Sequence, residues 1–171
     1  MEQMLRLAQQ AGFTQVAPMD PATIELKEEV RQMCAACGQY GKRWSCPPGC
    51  GTLEECAAKV SAYTHGILVQ TTGQLEDEFD VEAMLETESL HKERFAALRQ
   101  LLEDRNVLPL GAGCCTVCKT CTCPDEPCRF PQKRISSMEA YGMVVTEVCR
   151  ANNMPYNYGK NTITYTSCVL F

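Results

Sequence analysis

The sequence predicts a mixed α/β (α+β) domain, a small mixed sheet flanked by helices and carrying two cysteine-rich loops. Three observations predict it. A strand–helix–strand succession runs from Gly66 to Leu110, and a β-branched, aromatic segment occupies 162–170. Eleven of the thirteen cysteines fall into two short windows, one after a predicted helix and one after a predicted strand.

The elements follow in order. Residues 2–11 read as a short helix closed by Gly12, and 13–17 as a short strand. Asp20 followed by Pro21 is a helix start, a cap with proline at the first helical position. Ile24, Val30 and Met33 give that helix an apolar side, and it delivers Cys34 at its end. Thr52-Leu53-Glu54-Glu55 is a capping box opening a helix to about Ala62. The apolar run 66–70 reads as a buried strand. The longest helix spans 80–106, with Val81, Met84, Phe95, Leu98 and Leu102 on one stripe and Glu88–Lys92 as an i,i+4 pair. A strand at 107–110 follows, which suggests a right-handed parallel crossover. A helix over 137–151, interrupted at Gly142, and a strand over 162–170 complete the reading. Residues 1–171 are expected to form a single metal-binding domain.

Composition narrows the class. At 171 residues the chain is long enough to bury a real core, and with 45% hydrophobic and 22% charged residues it is ordinary globular material. No stretch of about 18 apolar residues occurs, so no membrane helix is expected. The N-terminus lacks the pattern of a secretory signal, so the expected location is cytoplasmic. The net charge of −5 gives no general case for nucleic-acid binding. Locally the cysteine windows are positive: Lys42 and Arg43 lie in the first, and Lys119, Arg129, Lys133 and Arg134 in or beside the second. Acids concentrate in 76–88, which reads as a solvated helix start, with a docking surface for a basic partner as the less favoured reading.

In a reducing cytoplasm, clustered cysteines point to metal or catalysis rather than to disulfide staples, and the odd count argues against full pairing. The second window reads Cys115-x2-Cys118-x2-Cys121-x6-Cys128. Thiolates at two-residue gaps curl around one metal cube, as in bacterial ferredoxin runs, whereas zinc sites more often use two separated Cys-x2-Cys knuckles. The first window reads Cys34-x2-Cys37-x8-Cys46-Pro-Pro-Gly-Cys50, with Cys50 or Cys56 available as a fourth thiolate. Cys56 sits in a predicted helix and reads as core, as do Cys149 and Cys168. The ligand set expected for two 4Fe–4S clusters is therefore Cys34, Cys37, Cys46 and Cys50, with Cys115, Cys118, Cys121 and Cys128. Zinc at the same residues is the alternative cofactor. Tyr40 and Trp44 either shield the metal from water or simply pack.

The motifs C-x-x-C-G-x-Y-G-K-x-W-x-C-P-P at 34–48, G-x-C-x-x-C-x-x-C at 113–121, P-C-R-x-P at 127–131 and S-M-E-A-x-G at 137–142 resemble a bacterial and archaeal family of cysteine-rich predicted metal-binding proteins. The resemblance spans most of the chain. It implies metal ligation by Cys34, Cys37, Cys46, Cys115, Cys118, Cys121 and Cys128, and no particular reaction. Cys50, Cys56, Cys114 and Cys123 lie outside that core, and Glu139 is singled out by the resemblance alone. Seven core thiolates are one short of two closed clusters. Either Cys50 completes the set, or one iron is open to a substrate atom.

The two histidines, His65 and His91, read as structural, and there is no phosphate-binding glycine loop or nucleophile elbow. Three function classes fit: electron transfer through two clusters, chemistry at a site-differentiated cluster, or a zinc-stabilised interaction module without redox activity. The corresponding partners are a redox protein or a small-molecule substrate, with no nucleic acid and no membrane.

Overall fold

The computed structural model describes residues 1–171. Its centre is a five-stranded sheet made of β1 (Gln15–Met19), β2 (Gly66–Gln74), β3 (Leu108–Gly111), β4 (Ser136–Ser137) and β5 (Thr162–Leu170), in the order β1-β2-β5-β3-β4. Five helices accompany it: α1 (Glu2–Gln10), α2 (Glu28–Ala35), α3 (Leu53–Ser61), α4 (Val81–Leu101) and α5 (Val145–Ala151). The sheet is mixed: β3 and β4 pair in parallel and the other pairs are antiparallel.

Successive strand residues point to opposite faces, and here both faces are covered. Ile67, Val69 and Val169 pack with Phe95 and Leu98 of α4 and with Met4 and Ala8 of α1. Leu68, Leu110 and Cys168 pack on the other side with Cys56 and Val60 of α3 and Val148 and Cys149 of α5. Burial on both faces explains why 66–69 is a continuous apolar run rather than an alternating one. No helix is long and apolar enough to cross a membrane.

Three expectations are corrected by tertiary contacts. The helix expected from Asp20 to Cys34 is broken. Asp20 caps only a short 3-10 turn, Pro21–Thr23, and α2 begins at Glu28. Between them Leu26 bridges Met143, and the Lys27 N–H donates to Gly142 O at 2.7 Å, so that backbone is bonded elsewhere. The helix expected over 137–151 is likewise divided, into β4, a 3-10 turn at Glu139–Tyr141 and α5, with Gly142 at φ +93° between the last two. On α4 the buried positions are Thr87, His91, Phe95 and Leu98, whereas Val81 is exposed and the helix stops at Leu101. The parallel direction expected of β2 and β3 is found, since each is antiparallel to β5, which lies between them. The strand over 162–170 and the Thr52–Glu55 capping box are found where the sequence places them.

Candidate metal centre

The first cysteine window is the loop from the end of α2 to the start of α3, and the second is the loop from β3 to β4. Hydrogen bonds hold the two loops together. Arg43 Nη1 donates to Cys115 O at 2.9 Å, and Cys115 N donates to Ser45 Oγ at 3.3 Å. Trp44 Nε1 donates to Glu126 O at 2.9 Å, and the Cys123 thiol donates to Gly41 O at 3.5 Å. Gly49 lets the first loop close on itself. A Cβ there would lie 3.0 Å from Trp44 Cα and 3.1 Å from Arg43 O.

The second window forms a recess lined by Cys115, Cys118, Cys121 and Cys128 together with Arg43, Trp44 and Arg134. Its donor set fits a metal that prefers thiolate. Trp44, expected near the first window's thiolates, thus walls the second site. Burial pushes the Cys121 thiol up, but the amide N–H groups of Cys123 and Trp44 and the charge of Arg43 outweigh it and hold the thiol below its ordinary value. Arg129 does not line the recess; its Nη1 donates to Thr120 O at 3.0 Å and braces the loop.

The first window divides its thiols. Cys34 and Cys46 are half-buried and Cys37 is exposed. Burial and the neighbouring Cys37 and Glu139 charges raise the Cys34 thiol. Burial, against a hydrogen bond with Ser45, raises that of Cys46, which also feels the charges of Cys114 and Cys37. Cys50 is turned into the protein: it is 3% exposed and donates to Ala140 O at 3.6 Å. The neighbouring Cys56 thiol, then burial, raise the Cys50 thiol, while Cys50 and the Arg31 and Lys59 charges lower that of Cys56. Arg31 Nη1 lies 3.6 Å from Cys56 Sγ and favours its thiolate. Cys50, grouped by the sequence with Cys34, Cys37 and Cys46, lies beside Cys56 and the 139–141 turn, whose Glu139 charge also reaches Cys34. Nothing in the spacing after Pro47-Pro48 carries that information.

The S-M-E-A-x-G segment is the floor under this loop. Met138 and Ala140 are buried, and a Cβ on Gly142 would meet Leu53 Cδ1 at 2.8 Å and Lys27 O at 3.0 Å. Glu139 is exposed beside Cys34. Both histidines are structurally engaged. His91 bonds Thr71 Oγ1 at 3.1 Å and Ser167 Oγ at 2.7 Å, and His65 bonds Thr64 Oγ1 at 2.9 Å.

Residues 17–171 match the family described as "Predicted metal-binding protein (DUF2284)". The chain belongs to that family. Its members' description accords with the thiol-lined recess, and the match covers both cysteine windows and the C-terminal strand. No curated protein and no solved structure matches the chain.

Proposed function

We propose that this family member is an iron–sulfur protein that binds two 4Fe–4S clusters and serves electron transfer in a reducing cytoplasm, where its thiols stay available for ligation. One observation carries the reading. The four thiols Cys115, Cys118, Cys121 and Cys128, the first three at the two-residue gaps of a ferredoxin run, line one recess. Such a cluster, once bound, takes up and releases single electrons. The chain's own residues do the rest. Cys115, Cys118, Cys121 and Cys128 hold the C-terminal cluster, and Cys34, Cys37 and Cys46 hold the N-terminal one. The Trp44 indole walls the recess, and its backbone amide favours the Cys121 thiolate. Arg43 and Arg134 offset the negative charge that four thiolates bring.

The zinc alternative requires thiolates that converge on a single ion in a tetrahedron. A cubane instead takes each thiolate on a different iron, around a space rather than a point. A second reading, chemistry at an open iron of the N-terminal cluster, is favoured by the burial of Cys50. In that case the partner is a small-molecule substrate rather than a redox protein.

The experiment is anaerobic purification followed by metal and acid-labile sulfide analysis. The expected result is a brown protein with about eight iron and eight sulfide per chain. Stoichiometric zinc without sulfide in a preparation competent for cluster assembly overturns the proposal in favour of the zinc module.

A further inference from the structure

We infer that the exposed apolar face at the start of α4 is a docking surface for a basic redox protein, which exchanges single electrons with the C-terminal cluster from there. The inference rests on the two-cluster reading and deepens it by naming the partner's chemistry and its seat.

The surface is apolar before it is charged. α4 is 21 residues long, but its buried side chains, Thr87, His91, Phe95 and Leu98, begin only at Thr87. Ahead of them Phe79, Val81 and Leu85 are 79%, 60% and 59% exposed. Val81, expected on the buried stripe, thus belongs to an open one. Val81 and Leu85 stand four residues apart and share one side of the helix. The turn carrying Phe79 is braced by its own hydrogen bonds. The Phe79 N–H donates to Asp77 Oδ1 at 2.8 Å, the Glu76 N–H to Asp80 Oδ2 at 2.9 Å, and Asn161 Nδ2 to Glu76 O at 2.7 Å. Single exposed apolar residues are ordinary on a protein surface, whereas a local concentration of large ones marks an interaction site.

Charge identifies what covers it. Seven acids and no base occupy 76–88. Three of them are engaged locally: Asp77 and Asp80 accept backbone amides, and Glu88 pairs with Lys92. Glu76, Glu78, Glu82 and Glu86 are exposed and form no ion pair. Lys160 is the one cation lining the adjoining groove. Apolar side chains set among unpaired carboxylates complement a partner whose lysines or arginines surround an apolar contact. A second copy of this chain fits less well, because Arg43 and Arg129 already donate to carbonyls of the cysteine loops.

Position ties this face to the cluster. Steps of four and three residues carry the stripe from Val81 and Leu85 to Glu88 and Lys92. A Cβ on Gly113 would lie 3.4 Å from Glu88 Oε1 and 3.7 Å from Lys92 Nζ, so that pair abuts the start of the second cysteine loop. Lys92 lines a cleft with Cys115 and Val117, and those two also wall the thiol recess. Arg43 and Arg134, at the recess itself, repel a basic protein seated directly over it and leave the α4 side as its approach. In the exchange one electron leaves the reduced cluster and reduces the partner's one-electron centre, and no bond is made or broken.

The test uses cytochrome c, a basic haem protein that accepts one electron, as the probe. Calorimetry measures its binding, and stopped flow follows its reduction by the anaerobically assembled, reduced protein. Phe79→Ser/Leu85→Gln removes the apolar contact and Glu82→Gln/Glu86→Gln the charge. Glu103→Gln/Asp104→Asn removes the same charge beyond the far end of α4 and serves as the control. All these side chains are exposed, and circular dichroism with iron content certifies each variant's fold. Each face variant is expected to weaken binding and slow reduction about tenfold, with the control matching the parent. Parent-like binding in the apolar variant overturns the inference, since it reduces the attraction to unspecific charge; an equal loss in the control does the same. A parent dimer in sedimentation that Phe79→Ser/Leu85→Gln dissociates puts a second copy on the face and also overturns it. Weaker binding with parent-like reduction rejects electron exchange at this face. If cytochrome c binds there but the parent carries no sulfide-bearing iron, the two-cluster reading fails while the docking surface stands.

Discussion

The two cysteine windows differ in how much of their site each makes alone. In the C-terminal window, four thiols in fourteen residues line one recess without help from any other cysteine. In the N-terminal window, Cys34, Cys37 and Cys46 stay near the surface while Cys50 and Cys56 sink into the core. Two-residue gaps return the chain to the same centre at every turn, so the second site is encoded locally. An eight-residue gap followed by Pro47-Pro48 does not, so the first depends on what the fold brings beside it.

The contrast can be broken most severely at a locally encoded ligand. Cys118→Ser should remove about four iron, the content of one cubane, and leave the N-terminal cluster in place. Faster amide hydrogen exchange should appear over 113–130, because ligation orders a loop with few apolar residues. Unchanged metal content would strike Cys118 from the ligand set.

A smaller effect is expected beneath the second window, where His91 of α4 sits fully buried. Burial first, then the Arg94 and Lys92 charges, lowers its imidazole to about 4. Phe13, Phe95 and Tyr165 pack around the ring, and it stays neutral between the hydroxyls of Thr71 and Ser167. The unfolded chain takes up a proton near pH 6.5, so this contribution is complete above that value and is lost as pH falls toward 4. Between pH 7 and 5 the parent should lose about 2 kcal/mol more stability than His91→Gln in denaturant titrations. Equal losses would show that His91 is not held neutral.

Under the first window, Gly142→Ala should cost about 2 kcal/mol. The left-handed backbone disfavours a Cβ, and Lys27 and Leu53 crowd it. The effect should appear as a lower thermal midpoint, with proteolysis beginning near 24–27 and 139–144. A change confined to 113–130 would contradict the floor role.

The smallest effects are expected from single cations. Arg43→Gln should leave the iron count unchanged and lower the midpoint potential of the C-terminal cluster, since a positive charge beside the recess favours the reduced form. Arg129→Gln, whose guanidinium braces Thr120 O outside the recess, should shift that potential less, as protein-film voltammetry would show. A larger shift from Arg129 would reverse their ranking.

Local encoding also marks what was legible in the sequence. The capping box at Thr52 and Glu55, the strand over 162–170 and the C-terminal thiol recess all rest on neighbours within a few residues or on strict alternation. The break in the 20–34 segment was not legible, because its cause is Gly142 O accepting from Lys27 N across the chain. The inward turn of Cys50 was hidden for the same reason, since its acceptor is Ala140 O. The broken helix and the buried thiol both lean on one short segment, 139–143, whose importance shows only after folding.

The central place of β5 bears on how the protein is made. Leu108–Leu110 and the whole of β2 pair with residues 162–170, so the sheet lacks its middle strand until those residues have been synthesised. All eleven clustered cysteines leave the ribosome before that strand does. For that interval they hang on a scaffold that cannot yet close, open to oxidation and to mismatched partners. Metal loading of the N-terminal site, which depends on what the fold brings beside it, is therefore expected only once β5 has inserted.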